Sequence, residues 1–221
     1  MNELDNLIIL FYNIWEWTEV YMIVIGVCGG SGSGKGAVCS IFGTLGIPSV
    51  DTDAVYHELI SCDGPCLREL AASFGDSVVK DGAIDRAALR NIVFSPPDVK
   101  EKQALLNSVT HKYVIGKTEQ LLRDYGRQGV KGAIIDAPLL FESGLDKRCD
   151  VTVAVAADSN VRIARIMLRD GIDYDTAARR ISLQIPDREL ISRCDFVIHN
   201  NGSLDGLKAA VTEVYRQIFG K

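Results

Sequence analysis

The residues best equipped for chemistry begin at Gly29. The run Gly29-Gly30-Ser31-Gly32-Ser33-Gly34-Lys35 fits G-x-x-x-x-G-K and directly follows an apolar run, "MIVIGVC" (22–28). Glycines 29, 30, 32 and 34 let the backbone turn until its N–H groups point inward at an anion. A helix starting at the loop adds the positive end of its dipole, and Lys35 adds a point charge for the β- and γ-phosphates of a nucleotide. The pattern then asks for Ser or Thr, whose hydroxyl contacts Mg²⁺. This chain has Gly36 and Ala37 instead. The cradle is a backbone feature and survives that change; metal affinity or turnover is what the change threatens. Ser33 or a water molecule is left as the substitute.

Carboxylates follow at useful places. The segment "VDTDAVYH" carries Asp51 and Asp53, two apart, so in an extended chain both point the same way. They close an apolar run, at the strand end where open α/β sheets place ligands. Phosphoryl transfer to a hydroxyl needs one carboxylate to orient or deprotonate it and others to help hold hydrated Mg²⁺. Asp51 and Asp53 can divide those jobs, or one of them can cap the following helix. In "GAIIDAPLLFE", Asp136 ends a further apolar run as a second metal-side carboxylate or a turn residue, and Glu142 follows. Arg162, Arg165 and Arg169 recur at i, i+3 and i+7, with Arg179 and Arg180 beyond. That stripe is either a solvated helix face or a lid supplying transition-state charge.

Strands and helices must position these groups. "MIVIGVC" (22–28), "IPSV" (47–50), "GAIIDAPLL" (132–140), "DVTVAVAA" (150–157) and "DFVIHN" (195–200) are continuous rather than alternating, as in parallel strands covered on both faces. Between the first two, Val38, Ile41, Phe42 and Leu45 form one helix stripe, stopped by Gly46 and Pro48. The alternation predicts a doubly wound α/β sheet. About residues 54–130 read as helical, more than a plain crossover needs, which suggests an inserted lobe able to hold a substrate; 159–192 is a second helical segment. A dinucleotide fingerprint, Gly32, Gly34 and Ala37 with Asp51 or Asp53 downstream, fits poorly. Its first glycine should follow the strand directly, and it has no role for Lys35.

The 221 residues allow one sizeable domain or a core with inserted subdomains; 47% are hydrophobic and 24% charged. A net charge of -5 argues against a nucleic-acid binder held by bulk electrostatics. The six cysteines are dispersed, and Cys62 and Cys66 lack the second ligand pair of a zinc site, so incidental thiols in a reducing cytosol are expected. Residues 1–21 hold both tryptophans and an apolar run too short to span a membrane, without a signal peptide's basic start. Met22 is a candidate natural start, with 1–21 an upstream extension; an N-terminal surface helix is the alternative.

From Met22 onward the chain resembles the dephospho-coenzyme A kinase family. "IGVCGGSGSGKGAV" with "LGIPSVDTDAVYHEL" is similar to its opening, and "DGAIDRAALRNIVF" with "LNSVTHKYV" to its helical insert. "DAPLLFESGLDKRCD" is similar to its third strand and the helix after it, and "RISLQIPDRELISRCDFVIHNNGSLDGL" to its C-terminal signature. These stretches cover nearly all of 22–210, and the combination is far more specific than the loop alone. The resemblance implies a P-loop kinase fold, a five-stranded parallel sheet sandwiched by helices. The nucleotide-binding core would be 22–55, 131–158 and 193–221, the coenzyme A-binding insert 56–130 and the lid 159–192. It implies a cytoplasmic enzyme, monomeric or a weak homo-oligomer, with no nucleic-acid or membrane partner. Its reaction would pass the ATP γ-phosphate to the ribose 3′-hydroxyl of dephospho-CoA, with Mg²⁺.

By position, Asp53 would be the base and Lys35 its catalytic partner. Gly30, Gly32, Ser33, Gly34, Lys35, Gly36 and Ala37 would cradle ATP, with Arg165, Arg169 and Asn200. Arg86 and His111 would serve the acceptor, and Asp51 and Asp136 the metal through water. Two departures stand out. The family has Lys-Ser-Thr where this chain has Lys35-Gly36-Ala37, and it usually has His-Pro where this chain has His111-Lys112. The first admits an alternative, a nucleotide- or CoA-binding pseudokinase; another small-molecule kinase is the third reading. The second is expected only to alter a helix start.

Overall fold

The computed structural model describes residues 21–220; the expectations for residues 1–20 lie outside them. In chain order, β1 (Ile23–Cys28) leads into the glycine loop and α1 (Lys35–Thr44), then β2 (Ser49–Asp51). Next come α2 (Thr52–Ile60), α3 (Pro65–Phe74), the two-residue strands β3 (Val79–Lys80) and β4 (Ala83–Ile84), α4 (Arg86–Phe94) and the long α5 (Val99–Arg127). The chain returns through β5 (Gly132–Asp136) and β6 (Val151–Ala156). Then follow α6 (Ser159–Asp170), α7 (Tyr174–Ser182), α8 (Asp187–Ser192), β7 (Phe196–His199) and α9 (Leu204–Phe219).

The main sheet has five strands in the order β2-β5-β1-β6-β7. Every pairing in it is parallel. The expected doubly wound architecture is therefore present, with β1 and its loop at the centre. The apolar runs are continuous because alternate residues go to opposite faces. Ile25, Val27, Ile134, Val153 and Ile198 meet Val38, Ile41 and Phe42 of α1 and Leu207, Val211 and Val214 of α9. Cys28, Ala133, Ile135 and Ala154 meet Val55, Leu122, Leu140, Leu145 and Leu190 on the other face. Burying side chains of this size stabilises by about 1.5–3 kcal/mol each, which makes the sheet a rigid base for the loop.

Segments 54–130 and 159–192 build small apolar clusters of their own. The first joins Ile60, Leu67, Leu70, Val78, Ile84, Leu89, Val93 and Val109. The second is Ile163, Ile166 and Ala177. Two local expectations fail here. The 54–130 segment is not wholly helical: β3 and β4 pair antiparallel across Asp81 (φ 52°) and Gly82 (φ 79°). An Asp-Gly hairpin turn demands that left-handed backbone at both positions, but strands of two residues leave no alternating pattern to read. His111-Lys112 also does not start a helix. Lys112 lies inside α5, where a proline would clash with the preceding turn. Its Nζ instead pairs with Glu69 Oε1 at 2.6 Å, tying α5 to α3.

Candidate active site

The loop leaves β1 and turns on itself through the Ser33 N–H, which donates to the Gly30 carbonyl at 3.0 Å. Gly32 (φ 78°) and Gly34 (φ 91°) take left-handed backbone that L side chains resist. Space forbids a side chain there too. A Cβ on Gly34 would lie 2.1 Å from Asn200 Nδ2, and one on Gly32 would lie 2.6 Å from the Arg162 carbonyl oxygen. Among the described residues, the N–H groups of Gly32, Gly34, Lys35 and Gly36 have no partner within the protein. These open groups lie where the glycine spacing led us to expect an anion cradle. Around them is a cavity of about 520 Å³, lined by the loop, Lys35, Asp51, Asp53, Asp136, Glu142, Arg169 and Gln184 among others.

The three aspartates reach this cavity by different routes. Asp51 is the last residue of β2, and its Oδ1 accepts the N–H groups of Asp53 (2.9 Å) and Ala54 (3.1 Å). It is the cap of α2, so the capping alternative describes its contacts. Asp53 already belongs to the first turn of α2. The two therefore do not share a side through extended-strand alternation, as expected, because the helix begins one residue after Asp51; they face one cavity across a strand-to-helix corner. The Thr52 hydroxyl fixes that corner by donating to the Asp136 carbonyl at 3.1 Å. Burial, then the neighbouring Asp51 charge, raises the Asp53 pKa above the ordinary aspartate value. That shift suits a proton acceptor. Asp136 forms an ion pair with Lys35, both side chains largely buried.

The arginine stripe divides into three different environments. Arg162 is 3% exposed. Its Nε donates to the Ser31 carbonyl (2.9 Å), Nη1 to Asp187 Oδ1 (2.6 Å) and Nη2 to Gln184 Oε1 (2.7 Å). Gln184 Oε1 also accepts the Ser31 N–H at 3.0 Å, so the N–H and the carbonyl of one loop residue are both held from the 159–192 segment. Arg165 Nη1 donates to the carbonyls of Gly32 (3.2 Å) and Ser33 (3.3 Å), and Nη2 to Asn200 Oδ1 (3.3 Å). Asn200 Nδ2 donates to the Ser33 carbonyl at 2.8 Å. Arg165 and Asn200 thus brace the loop's outer side through its carbonyls. Arg169, the most exposed of the three, borders the cavity while its Nε donates to Asp170 Oδ1 at 2.7 Å.

Ser33 does not substitute for the missing hydroxyl. It is fully buried, its N–H and carbonyl are engaged as above, and its Oγ lacks a hydrogen-bond partner. The turn that opens the loop N–H groups to the cavity sends this side chain inward. Gly36, in contrast, borders the cavity with nothing within 4 Å of where a Cβ would stand. The oxygens of Asp51, Asp53 and Asp136 are hard donors of the kind Mg²⁺ accepts alongside its waters. No set of three His, Cys, Asp or Glu among the described residues forms a ready-made metal cage. The donor set fits an ion that keeps several waters and leans on the nucleotide's phosphates.

A second cavity of about 250 Å³ adjoins the first, lined by Asp53, Tyr56, Asn107, Thr110, His111 and Leu145 among others. Asp53, Pro138 and Leu139 border both. His111 is half-buried, and burial lowers its pKa, favouring the neutral imidazole. Tyr56 and Leu106 lead on to an open cavity of about 820 Å³ bordered by Arg86, Arg90, Asn91 and Phe94. Arg86 and His111 thus lie in successive cavities, not side by side. From the sequence alone Gln184 and Tyr56 had no role, and Arg162 stood there only as one member of the arginine stripe. A lone Gln at a helix end gives no charge or period signal, and the arginine stripe gave no hint which member would be buried.

A family model described as dephospho-CoA kinase matches residues 23–206. A dephospho-CoA kinase of Corynebacterium glutamicum is 36% identical over 201 residues, 90% of this chain and 99% of that protein. The crystal structure of TT1252 from Thermus thermophilus superposes with a TM-score of 0.74 at 32% identity, covering 90% of this chain and 99% of that one. Dephospho-CoA kinase from Campylobacter jejuni shares the fold, with a TM-score of 0.65 at 24% identity over 88% of this chain and 96% of that one.

Proposed function

The chain belongs to the dephospho-CoA kinase family and is an ATP-dependent phosphotransferase, and from that premise we propose how its residues divide the work on ATP and dephospho-CoA. The observation that carries the assignment is that Asp53 borders both the loop cavity and the adjoining one. A carboxylate at that junction can take the proton of the ribose 3′-hydroxyl while the γ-phosphoryl waits on the loop. Lys35 and the open N–H groups from Gly32 to Gly36 hold the β- and γ-phosphates. Arg169, at the cavity's edge, supplies charge as the phosphoryl passes between oxygens. Arg162 and Gln184 keep the loop in shape through Ser31, and Arg165 and Asn200 do so through Ser33.

The acceptor occupies the path past Asp53, with His111 and Tyr56 beside its nucleoside and Arg86 further along for its phosphates. Segment 56–130 is the acceptor-binding insert and 159–192 the lid. Mg²⁺, when bound with ATP, neutralises phosphate charge as the phosphoryl moves. Asp51 and Asp136 are the residues that would hold its water shell. The non-catalytic reading raised by Gly36 has little to recommend it, because base, lysine and arginine face one space. The test is ATP-dependent phosphorylation of dephospho-CoA, followed by mass spectrometry of the product, with Asp53→Asn as control. Equal turnover by wild type and control would defeat the assignment.

A further inference from the structure

Directly beneath the loop lies a pair of thiols that phosphoryl transfer does not use. Cys28 ends β1, one residue before Gly29, and Cys194 lies on the return from α8 to β7. Their sulfurs are 3.5 Å apart. β1 and β7 flank β6, and Cys28, Ala154 and Cys194 share one apolar cluster on the same face of the sheet. Closing the 3.5 Å gap to bonding distance draws the sulfurs about 1.5 Å together and moves backbone with them, because β6 stands between the two segments. We propose that Cys28 and Cys194 form a disulfide under peroxide, and that this bond disables the phosphate loop by shifting its root against the segment returning from the lid.

The two sulfurs have unequal roles. Cys28 is fully buried and Cys194 half-buried, so peroxide reaches Cys194 first. The two thiols share a hydrogen bond in which either sulfur can donate; with Cys28 as donor, the bond favours the Cys194 thiolate and raises the Cys28 pKa. The Cys194 thiolate attacks one peroxide oxygen, breaking the O–O bond and giving a sulfenic acid and hydroxide. The Cys28 sulfur then attacks the Cys194 sulfur, the S–O bond breaks, and the hydroxyl leaves as water with the Cys28 proton. In sum, two thiols and one hydrogen peroxide give one disulfide and two waters; the thiols supply the two electrons. Cys149, a thiol of the same apolar cluster, has its Sγ engaged elsewhere, donating to the Leu145 carbonyl at 3.4 Å.

The test is made on the full chain. Protein is treated with hydrogen peroxide, its remaining thiols are alkylated, and digested peptides are weighed; ATP binding is followed in parallel by calorimetry, without turnover. The expected result is a Cys28–Cys194 cross-linked peptide and ATP binding weakened on the order of 10-fold, because small misplacement of a positioning loop is costly. Dithiothreitol reverses both. Cys194→Ser binds ATP like untreated wild type and does not respond to peroxide, whereas Cys149→Ser responds fully. Recovery of Cys28 and Cys194 as separately alkylated thiols overturns the proposal. So does a cross-linked protein that binds ATP as well as the reduced form. The peptide masses report on the disulfide even if the acceptor assignment above fails.

Discussion

The two sides of Asp53 are built on opposite principles. On the nucleotide side, one short loop is gripped from outside. Arg162 and Gln184 hold the Ser31 peptide, and Arg165 and Asn200 hold the Ser33 carbonyl. On the proposed acceptor side, Arg86 and Arg90 are exposed, Leu139 is 51% exposed, and neighbouring cavities share lining residues. Order set in advance lowers the cost of binding, so the loop is made for a ligand whose shape never varies. An open trough suits a long, flexible ligand that adjusts as it settles. Rigidity belongs where phosphate must be held in line, and tolerance where only one hydroxyl of the acceptor needs precise placement.

Asp53→Asn strikes the junction and has the largest effect. The turnover number falls on the order of 10²- to 10⁴-fold while ATP binding, measured by calorimetry, stays unchanged. A matching loss of ATP affinity would mean that Asp53 belongs to the rigid side. Gly34→Ala strikes that side directly. Left-handed strain and collision with Asn200 cost about 1–3 kcal/mol, so ATP affinity falls on the order of 10-fold or more while acceptor binding is kept. Arg86→Ala raises the acceptor KM about tenfold and leaves the ATP KM alone, which two-substrate kinetics separates. Loss of both affinities together would break the division.

The pH profile sharpens it further. Because the Asp53 pKa is raised, its carboxylate is lost to protonation earlier as pH falls, and the acid limb of turnover lies above the ordinary aspartate range. Asp51→Asn removes a like charge, lowers that pKa and moves the acid limb to lower pH; a limb that moves up instead would exclude Asp53 as its source. The smallest effect belongs to Gly36→Ser. The open space at residue 36 accepts the side chain, and the half-saturating Mg²⁺ concentration falls a few-fold, corresponding to about 1 kcal/mol or less. An unchanged Mg²⁺ titration would show that the absent hydroxyl is immaterial here.

These two sides were not equally legible in the sequence. The five strands, the loop and Lys35 could be read because continuous apolar runs and glycine spacing follow directly from burial and backbone geometry. For Asp53 the spacing to Asp51 suggested strand alternation, yet the corner into α2 sets its direction. Gln184 and the burial of Arg162 could not be read, since both depend on how the 159–192 segment folds back on the loop, far away in sequence. Ser33 misled, because a hydroxyl in a glycine loop carries no mark of the face it takes. The Asp-Gly turn of β3 and β4 was signalled, but two-residue strands offered no period to support it.

The ion pair between Lys35 and Asp136 has a consequence for selectivity. A bare lysine over open amides would collect any oxyanion in the cell, inorganic phosphate and sulfate included. Here a newcomer must first displace a carboxylate that already satisfies the lysine, so a small anion trades one partner for another with little net gain. A triphosphate presents several charges at once to the lysine and the amides, and arrives with a cation able to occupy the released carboxylate. On the proposed assignment, the pair acts as a threshold that favours a triphosphate over simple salts.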